Sequence, residues 1–471
     1  KGIRSLEIGA NHMYLSKFDN MSVEELLDYI KEFRSDNIFA IAELLYHGTV
    51  DTLQMVDIMD SRIVITARTE RFFNDIFMQE CIRRFNQSND TYYVVAQTCE
   101  KGVDTADFYE KTNVEIGTGG GPDIVFYNSV SEPESLLEKG VFVDMRPFME
   151  ATGIKEENYY SAAFDFWQEE DAIYAANMVA HPTGNWISAE ILGDNDNPDI
   201  ETLLDGLLRY QKEAVFQTAW ESDQVLKYFL TGSEDLWGMV NWEQDTCDFG
   251  GELFAKMLEA AKRYGYDRNK DLPYVSFPMR TGFYTYETQE QLKKEGKIPV
   301  GYVFEDGCFM RINQTGIMAI NSNSDEIHRQ GAWEFISYLL SDEVQTLMGY
   351  NMLPVKRSAY AANVQREIQE GAISLKENAD GTTTKTFKQG DSAFKELKYD
   401  EAAYEAMYNL TEEKAAEIEK LLETSKALPT RTAAIIDIIT EEATTYFNGS
   451  KSVEDVVAVI ENRVQLYLEE R

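Results

Sequence analysis

A glycine-rich stretch that runs directly into an apolar segment constrains the fold of this chain more than any other feature. The stretch reads Gly117-Thr118-Gly119-Gly120-Gly121-Pro122, and the apolar segment is Ile124-Val125-Phe126. Glycines permit backbone conformations that a Cβ forbids, and a proline blocks helix, so the apolar run is predicted to be a buried strand. Tyr127 and Asn128 end it. In an open α/β sheet, ligands bind beyond the carboxyl ends of such strands.

The segments before this strand alternate between strand and helix. Residues 62–67 and 92–96 are strand-like, and a helix with an apolar stripe of Phe73, Phe77, Cys81 and Phe85 lies between them. A second helix, over 105–116, leads into the glycines. A dinucleotide fingerprint needs its glycines after a strand and before a helix, so here they are predicted to end a helix instead. The β-α-β-α-β order predicts a parallel sheet covered by helices.

The rest of the chain continues as mixed α/β structure with a helical C-terminus. Periodicity and capping residues predict helices over 200–215, 222–230, 249–264 and 328–340, strands over 298–304 and 316–320, a loop or hairpin within 376–400, and two final helices around 435–447 and 453–468. Residues 1–60 carry two short helical patterns, near 22–33 and 41–45, and look like a separate piece.

Size and charge exclude several classes of function. A chain of 471 residues is too long for one core, so two or three domains are expected. Acidic residues outnumber basic ones 82 to 44, a net charge of −38, which repels nucleic acid and anionic lipid as primary partners. No run of about 20 apolar residues is present. The chain begins at Lys1 without Met or a signal segment, so we expect a removed leader or a longer parent protein.

A series of motifs resembles the extracellular solute-binding proteins of ABC importers, in particular the carbohydrate-binding group that includes maltose-binding protein. The resemblance runs from Arg62 to Arg471 and rests on the order of its motifs. They are Pro122-Asp123-Ile124-Val125, Leu137-x-x-Gly140-x-Phe142-x-Asp144, Ile173-Tyr174-Ala175, Ile320-Asn321-Ser322-Asn323-Ser324, Ala332-Trp333-Glu334-Phe335, Ser341-x-Glu343-x-Gln345, Leu353-Pro354-Val355, Tyr446-Phe447-x-Gly449 and Arg463-x-x-x-Tyr467-Leu468.

The resemblance implies a two-lobed, type II periplasmic-binding-protein-like α/β fold with hinge crossovers. Lobe one would comprise 62–177 and 300–343, and lobe two 178–299 and 344–471. Residues 1–61 fall outside and would be an extension or the remnant of an upstream domain. The implied protein is an extracellular monomer and lipoprotein, anchored to the outer face of the membrane. It would capture a sugar or oligosaccharide by hinge closure and deliver it to an ABC permease.

A sugar site needs flat aromatic rings for the apolar faces of the ligand and polar tips for its hydroxyls. Residues of that kind occur at the ends of strands in lobe one, at the crossover and in lobe two. They are Arg68, Tyr127, Asn128 and Asp306 in lobe one, Asn177 and His181 at the crossover, and Trp186, Trp220 and Trp242 in lobe two. Trp242 is the favoured stacking platform because its neighbours are polar. Relatives often carry proline at the position of Asn177 and an acidic or small residue near that of His181.

Other interpretations of these residues remain open. For any one tryptophan, core or hinge packing is about as plausible as ligand contact, and Trp167 and Trp333 look like core residues. A structural role is favoured for His181. A carbohydrate-active enzyme would need two carboxylates flanking one bond, which 82 acids cannot discriminate, and no nucleophile elbow, P-loop or HExxH motif appears. A peptide or polyamine binder on the same fold is the nearer alternative.

The sequence predicts no cofactor and no metal site. The four histidines are dispersed, and the oxygen-rich segments 194–197 and 267–271 lack the glycine and distal glutamate of a calcium loop, so both are predicted to be solvated turns. The cysteines are predicted to be small buried hydrophobes, and their spacing does not indicate the redox compartment. They are Cys81, Cys99, Cys247 and Cys308.

Overall fold

A computed structural model of the protein describes most of the chain from residue 62 onward. The described residues are 6–8, 11–13, 62–69, 76–99, 103, 105–128, 134–137, 139–165, 167–169, 172–210, 216, 220–266, 279–283, 296–312, 315–348, 353–377, 383–387, 398, 400–429 and 431–470. The helices predicted near 22–33 and 41–45, the start of the stripe at Phe73, and the segment 267–271 lie outside them.

The described residues contain strands and helices in roughly alternating order. The strands are β1 (Leu6–Ile8), β2 (Asn11–Met13), β3 (Ile63–Thr69), β4 (Tyr92–Thr98), β5 (Ile124–Asn128), β6 (Gln168–Glu169), β7 (Ala172–Ile173), β8 (Ala176–Asn177), β9 (Val179–Ala180), β10 (Pro182–Ser188), β11 (Val240–Asn241), β12 (Thr246–Cys247), β13 (Met279–Phe283), β14 (Lys297–Pro299), β15 (Tyr302–Phe304), β16 (Gly307–Phe309), β17 (Arg311–Ile312), β18 (Thr315–Ile320), β19 (Leu353–Pro354), β20 (Ile373–Glu377) and β21 (Thr383–Phe387). The helices are α1 (Ile76–Ser88), α2 (Thr105–Gly117), α3 (Glu134–Leu137), α4 (Arg146–Thr152), α5 (Ala189–Leu192), α6 (Ile200–Arg209), α7 (Ser222–Leu230), α8 (Glu252–Tyr264), α9 (Glu326–Leu339), α10 (Asp342–Gln345), α11 (Arg357–Glu370), α12 (Glu401–Tyr408), α13 (Glu412–Thr424), α14 (Ala433–Phe447) and α15 (Val453–Glu470).

The chain divides into two units, each built from separate stretches of sequence. Unit 1 comprises 1–154, 167–178 and 314–344, and unit 2 comprises 155–166, 179–313 and 345–471. Two stretches differ from the lobes expected above. Residues 155–166 belong to unit 2 because the Tyr160 amide donates to the Val355 carbonyl, and 300–313 belong to it because β17 pairs with β10.

Unit 1 is organised around a five-stranded sheet in the order β4-β3-β5-β18-β8. Strand β3 pairs in parallel with β4 and β5, which confirms the parallel β-α-β-α-β prediction. Strand β18 returns antiparallel between β5 and β8. Strand β5 is buried on both faces, as in parallel sheets, and Ile65 of β3 and Ile124 and Val125 of β5 have no exposed surface.

The glycine-rich turn ends α2 and starts β5, as the order of residues predicts. Gly119 and Gly121 have φ of 94° and 93°, and a Cβ on Gly121 would lie 2.7 Å from the Ile116 side chain. The Asn321 amide then holds the turn, donating to the carbonyls of Gly120 and Pro122 at 2.8 and 2.9 Å. The turn therefore sets where the carboxyl end of β5 emerges.

Helix α9 approaches the sheet closely because it carries Gly331 on its buried face. A Cβ there would lie 2.4 Å from the Tyr92 ring and 2.5 Å from Ile65. The neighbouring Trp333 has no exposed surface, which confirms the prediction that it is a core residue. Trp167 is also buried, at 7% exposure, and its ring stacks on Phe142 at 5.6 Å. Both tryptophans thus belong to the packing of unit 1.

Unit 2 packs helices against a sheet centred on β10. Strand β10 pairs antiparallel with β13, β14 and β17. Helix α7 contacts α8 and α14, and α14 contacts α15, so the two C-terminal helices belong to this core. The strand predicted over 298–304 is split by Gly301, whose φ is 78° and whose Cβ would meet the Phe309 carbonyl oxygen at 2.5 Å.

Most of the predicted elements appear where the sequence placed them. Helix α7 has the predicted bounds, and the stretch 376–400 contains the second strand of a hairpin formed by β20 and β21. Helix α6 is shorter than the predicted 200–215, because the chain leaves helical geometry at Tyr210, with ψ of 115°. None of the described helices is long and apolar enough to cross a membrane.

Candidate functional site

The carboxyl edge of the sheet in unit 1 carries a polar cluster centred on Arg68. Its guanidinium donates to Gln97 Oε1 at 3.0 and 3.1 Å, to Thr112 Oγ1 at 3.2 Å and to Glu115 Oε2 at 2.6 Å. Strand β3 supplies the arginine, β4 the glutamine and α2 the other two. The Arg68 side chain is only 16% exposed. Its hydrogen bonds are therefore directed into its own unit.

Tyr127 lies beside this cluster and is also enclosed by unit 1. Its ring has no exposed surface, stacks on Tyr109 at 5.5 Å, and its hydroxyl donates to Asn113 Oδ1 at 2.9 Å. Burial raises the pKa of the Tyr127 hydroxyl, and the charge of Arg68 lowers it by a smaller amount. The phenol is therefore neutral and hydrogen-bonded within the unit. Because its ring is buried, the ligand contact predicted for Tyr127 remains a prediction.

The two asparagines predicted from the sequence to contact a ligand, Asn128 and Asn177, both lie in strands of unit 1. Asn128 ends β5, where its backbone pairs with Thr315 of β18. Asn177 lies in β8, opposite Ile317, and is fully buried. Asn177 is thus part of the interior of unit 1, and its predicted ligand contact remains a prediction.

Two of the three tryptophans named from the sequence pack within unit 2. Trp186 stands in the central strand β10 and is 1% exposed. Trp220 is half-buried, and its ring lies 5.7 Å from that of Phe216 and 5.9 Å from that of Tyr228. Because Trp186 is buried, its ring has no open face for a ligand. The sequence alone does not show this burial.

The third tryptophan, Trp242, and Asp306 are linked by a short chain of contacts in unit 2. The Trp242 indole N–H donates to the Glu234 carbonyl at 2.7 Å, and the Glu234 amide donates to Glu305 Oε1 at 3.2 Å. Asp306 follows at the tip of the β15–β16 hairpin and forms an ion pair with Lys426. Asp306 was predicted in lobe one; it lies in unit 2 because this hairpin precedes the crossing at 313–314.

The Lys426 ammonium also joins an aromatic surface. It lies 4.1 Å from the centroid of the Phe309 ring, while its hydrogen bond to Asp306 lowers the pKa of that carboxyl. Asp306 is exposed and ionised at neutral pH. Asp306, Lys426 and Phe309 together offer a carboxylate, an ammonium and a ring, which is the chemistry that a polyhydroxylated solute requires.

A strained turn in unit 2 fixes the backbone to which Trp242 is hydrogen-bonded. Leu236, Trp237 and Gly238 are all left-handed, with φ of 54°, 62° and 80°. Such geometry is costly for residues with a Cβ and persists only where the surroundings impose it. The fully buried Ser233 hydroxyl does so, accepting from the Trp237 amide at 2.6 Å and contacting Glu305 Oε1 at 2.6 Å. The turn thereby fixes the Glu234 carbonyl that holds Trp242.

Asp165 and His181 both lie in unit 2, within a few residues of positions where the chain passes between the units. Asp165 follows a 3-10 turn, Ser161–Ala163, which packs against β9, and His181 follows β9. Burial lowers the pKa of His181 to about 4 and raises that of Asp165, although the Asp165 side chain is exposed. The ligand contact predicted for His181 remains a prediction.

The described residues include no group of three or more histidine, cysteine, aspartate or glutamate side chains placed to hold a metal ion. In the oxygen-rich segment 194–197, Asn197 accepts from the Cys308 amide at 2.7 Å, so its side chain anchors the β15–β16 hairpin. The four cysteines are free thiols. Burial raises the pKa of Cys247 to about 11 and that of Cys308 to about 12, which makes both poor nucleophiles at neutral pH.

The fold defines the class of the protein as a type II periplasmic-binding-protein-like α/β protein. Three solved structures resemble most of the chain. The sugar-binding protein MalE from Xanthomonas citri has a TM-score of 0.53 at 13% identity, covering 87% of this chain and 98% of its own. A Streptococcus pneumoniae solute-binding protein in complex with the blood group A-trisaccharide has 0.52 at 14%, covering 86% and 100%. An ABC transporter solute-binding protein from Thermotoga lettingae, bound with α-D-tagatose, has 0.51 at 12%, covering 86% and 99%.

The chain belongs to the family of bacterial extracellular solute-binding proteins. The model of that family matches residues 80–373, more than half of the chain. No curated protein sequence matches it. The family resemblance stated from the motifs is thereby confirmed, as is the type II fold.

Proposed function

We propose that the protein captures a sugar or oligosaccharide outside the cell and delivers it to the permease of an ABC importer. Membership of the solute-binding family gives the general task. The sugar class is supported by one observation above all: the fold matches proteins solved with saccharides over 86% of the chain. The ring, carboxylate and ammonium groups of Phe309, Asp306 and Lys426 suit such a ligand.

A panel of mono- and oligosaccharides tests this proposal by thermal unfolding. A ligand that binds only the folded protein raises the midpoint temperature as its concentration exceeds the Kd. We expect a subset of the panel to do so in a saturable manner, and calorimetric titration then gives the affinity. Matched panels of peptides and polyamines form the control, since stabilisation by those alone would contradict the sugar assignment.

The proposal includes release of the ligand unchanged. Neither the family nor the solved neighbours are enzymes. Prolonged incubation of purified protein with its best saccharide should return the same saccharide by chromatography. Appearance of shorter products, at a rate proportional to protein concentration, would identify a carbohydrate-active enzyme instead.

Capture by closure of two hinged lobes remains a prediction of the resemblance. A ligand that contacts both lobes would favour the closed form by its differential affinity for the two states. Small-angle scattering with and without saccharide would reveal closure as a smaller radius of gyration. An unchanged radius at saturating ligand would contradict the closure mechanism while leaving sugar binding intact.

Action at the outer face of the cell membrane, with a permease as partner, is part of the same proposal. Addition of the ligand-loaded protein to the reconstituted transporter should stimulate ATP hydrolysis, while ligand-free protein should stimulate it less. Digestion of intact cells with an external protease should remove the protein. Protection from that protease would contradict the extracellular location.

A further inference from the structure

An arginine that the sequence analysis did not name covers the face of Trp242. Arg431 is exposed, and its guanidinium carbon lies 4.3 Å from the centroid of the Trp242 ring. The ring is itself fixed by its N–H bond to Glu234 and by packing against the core of unit 2. Stacking on a fixed ring holds the guanidinium in place and leaves its N–H groups available.

Arg431 has no carboxylate or carbonyl acceptor among the described residues, in a chain where acids outnumber bases 82 to 44. The acids of the adjoining helix α14 are engaged by other bases. Asp437 pairs with Lys227 at 3.2 Å, and Glu442 pairs with Arg463 at 2.6 Å. A guanidinium that remains without a partner on so acidic a surface is available for an anion from outside the chain.

The start of α14 adds hydrogen-bond donors directly after this arginine. Helix α14 has 15 residues, no acidic residue in its first turn and no side-chain cap. Its first N–H groups and the positive end of its dipole are therefore uncompensated. Thr432, which precedes the helix, is fully buried, and its hydroxyl has no hydrogen-bond partner among the described residues. A buried hydroxyl without a partner is costly, so Thr432 leaves an unsatisfied hydrogen-bonding group directly beside the start of α14, which is an observation independent of Arg431.

We propose that Arg431 and the start of α14 bind a carboxylate group of the captured saccharide, so that the ligand is an acidic, uronate-containing sugar. This inference rests on the proposed function and narrows it. A guanidinium matches the two oxygens of a carboxylate, and a helix start accommodates negative charge. Trp242 acts as a positioning residue, because its ring holds the guanidinium. The net charge of −38 disfavours anions at long range, so a local cationic site is needed for an acidic ligand.

The test compares acidic oligosaccharides with the same molecules carrying methyl-esterified carboxyl groups. Oligomers of galacturonate, glucuronate and mannuronate are titrated into the full chain by calorimetry, each beside its ester and beside neutral oligosaccharides. We expect at least one free acid to bind about 10- to 100-fold more tightly than its ester, the range for hydrogen bonds to a charged group. Arg431→Ala should remove most of that preference and leave the affinity for the ester unchanged.

Two variants keep the test specific. Arg209→Ala removes an exposed arginine of the same unit and changes net charge equally, so it should retain the preference for the acid. Thr432→Val deletes the hydroxyl and should weaken binding of the acid without lowering the unfolding temperature. Binding of neutral saccharides with no uronate bound, or equal losses for acid and ester in Arg431→Ala, overturns the inference and leaves the proposed function standing. Absence of any saccharide binding overturns both.

Discussion

Two arginines, one in each unit, show how differently the same side chain can be used. Arg68 directs its guanidinium to Gln97, Thr112 and Glu115, and only 16% of its side chain is exposed. Arg431 is exposed and stacks on Trp242 with no acceptor among the described residues. The first arginine stabilises the edge of a sheet. The second has guanidinium N–H groups without an acceptor among the described residues, so they can donate hydrogen bonds to a ligand.

The tryptophans of unit 2 repeat this contrast. Trp186 is enclosed by its own core, whereas Trp242 is half-buried and carries a cation on its face. An arginine or a tryptophan therefore indicates a ligand site only when its donors or its ring are not already in contact with its own unit. The predictions below test this division between enclosed and available groups.

The largest effect is expected at Trp186, because an enclosed ring contributes to stability. Trp186→Ala should lower the free energy of unfolding by about 3–5 kcal/mol, the range for truncating a buried aromatic side chain. Urea unfolding of the purified variant measures this loss. Trp220→Ala, at a half-buried ring, is the control and should cost less. A Trp186 variant of normal stability that had lost saccharide binding would restore this residue to the ligand site.

His181 provides a pH-dependent test of enclosure. Burial lowers its pKa to about 4 in the folded protein, whereas the unfolded chain titrates near 6.5. As pH falls from 6.5 toward 4, His181 is protonated in the unfolded state but not in the folded state. The free energy of unfolding therefore falls by up to about 3 kcal/mol. His181→Gln lacks this titration and should lose less stability between pH 7 and pH 4.5. Identical pH dependence of urea unfolding in both proteins would show that His181 is solvated.

Arg68 is expected to contribute less than these two residues, because it is not fully buried. Arg68→Met removes the partner of Glu115 and Gln97 and should cost about 1–3 kcal/mol of unfolding free energy. Arg431→Met is the matched control, and its loss should stay below about 1 kcal/mol because an exposed cation–π contact is weak. Equal losses in the two variants would remove the distinction between the two arginines.

Local sequence patterns predicted the elements well because their causes are local. The glycines before β5 need positive φ, the apolar run after them needs burial on both faces, and both requirements can be read from Gly121 and Val125. Helix α7 has the predicted bounds, with Glu221 and Gln224 forming a capping box. The order of such elements carried the family resemblance, which the family match over 80–373 confirms.

Side-chain partners could not be predicted in the same way, because they depend on residues distant in the sequence. Tyr127 and Asn177 follow apolar runs and look like strand-end ligands, yet both are buried within unit 1. Asp306 changes unit because β17 pairs with β10 before the chain crosses. Arg431 was missed because its aromatic neighbour lies far away in the chain. An arginine before a helix with no acid in its first turn was the available signal.

The smallest expected effect concerns Trp242, where the ring and its N–H group can be separated. Trp242→Phe keeps a ring under Arg431 but removes the hydrogen bond to the Glu234 carbonyl, so we expect about 1 kcal/mol less stability. Saccharide binding should weaken only slightly, whereas Trp242→Ala, which also removes the stacking surface, should weaken it by about 1–3 kcal/mol. Calorimetric titration of both variants with the best saccharide separates the roles of ring and N–H group. Equal binding by wild type and Trp242→Ala would exclude Trp242 from the ligand site, and an equally large loss in Trp242→Phe would show that its N–H group, rather than its ring, positions Arg431.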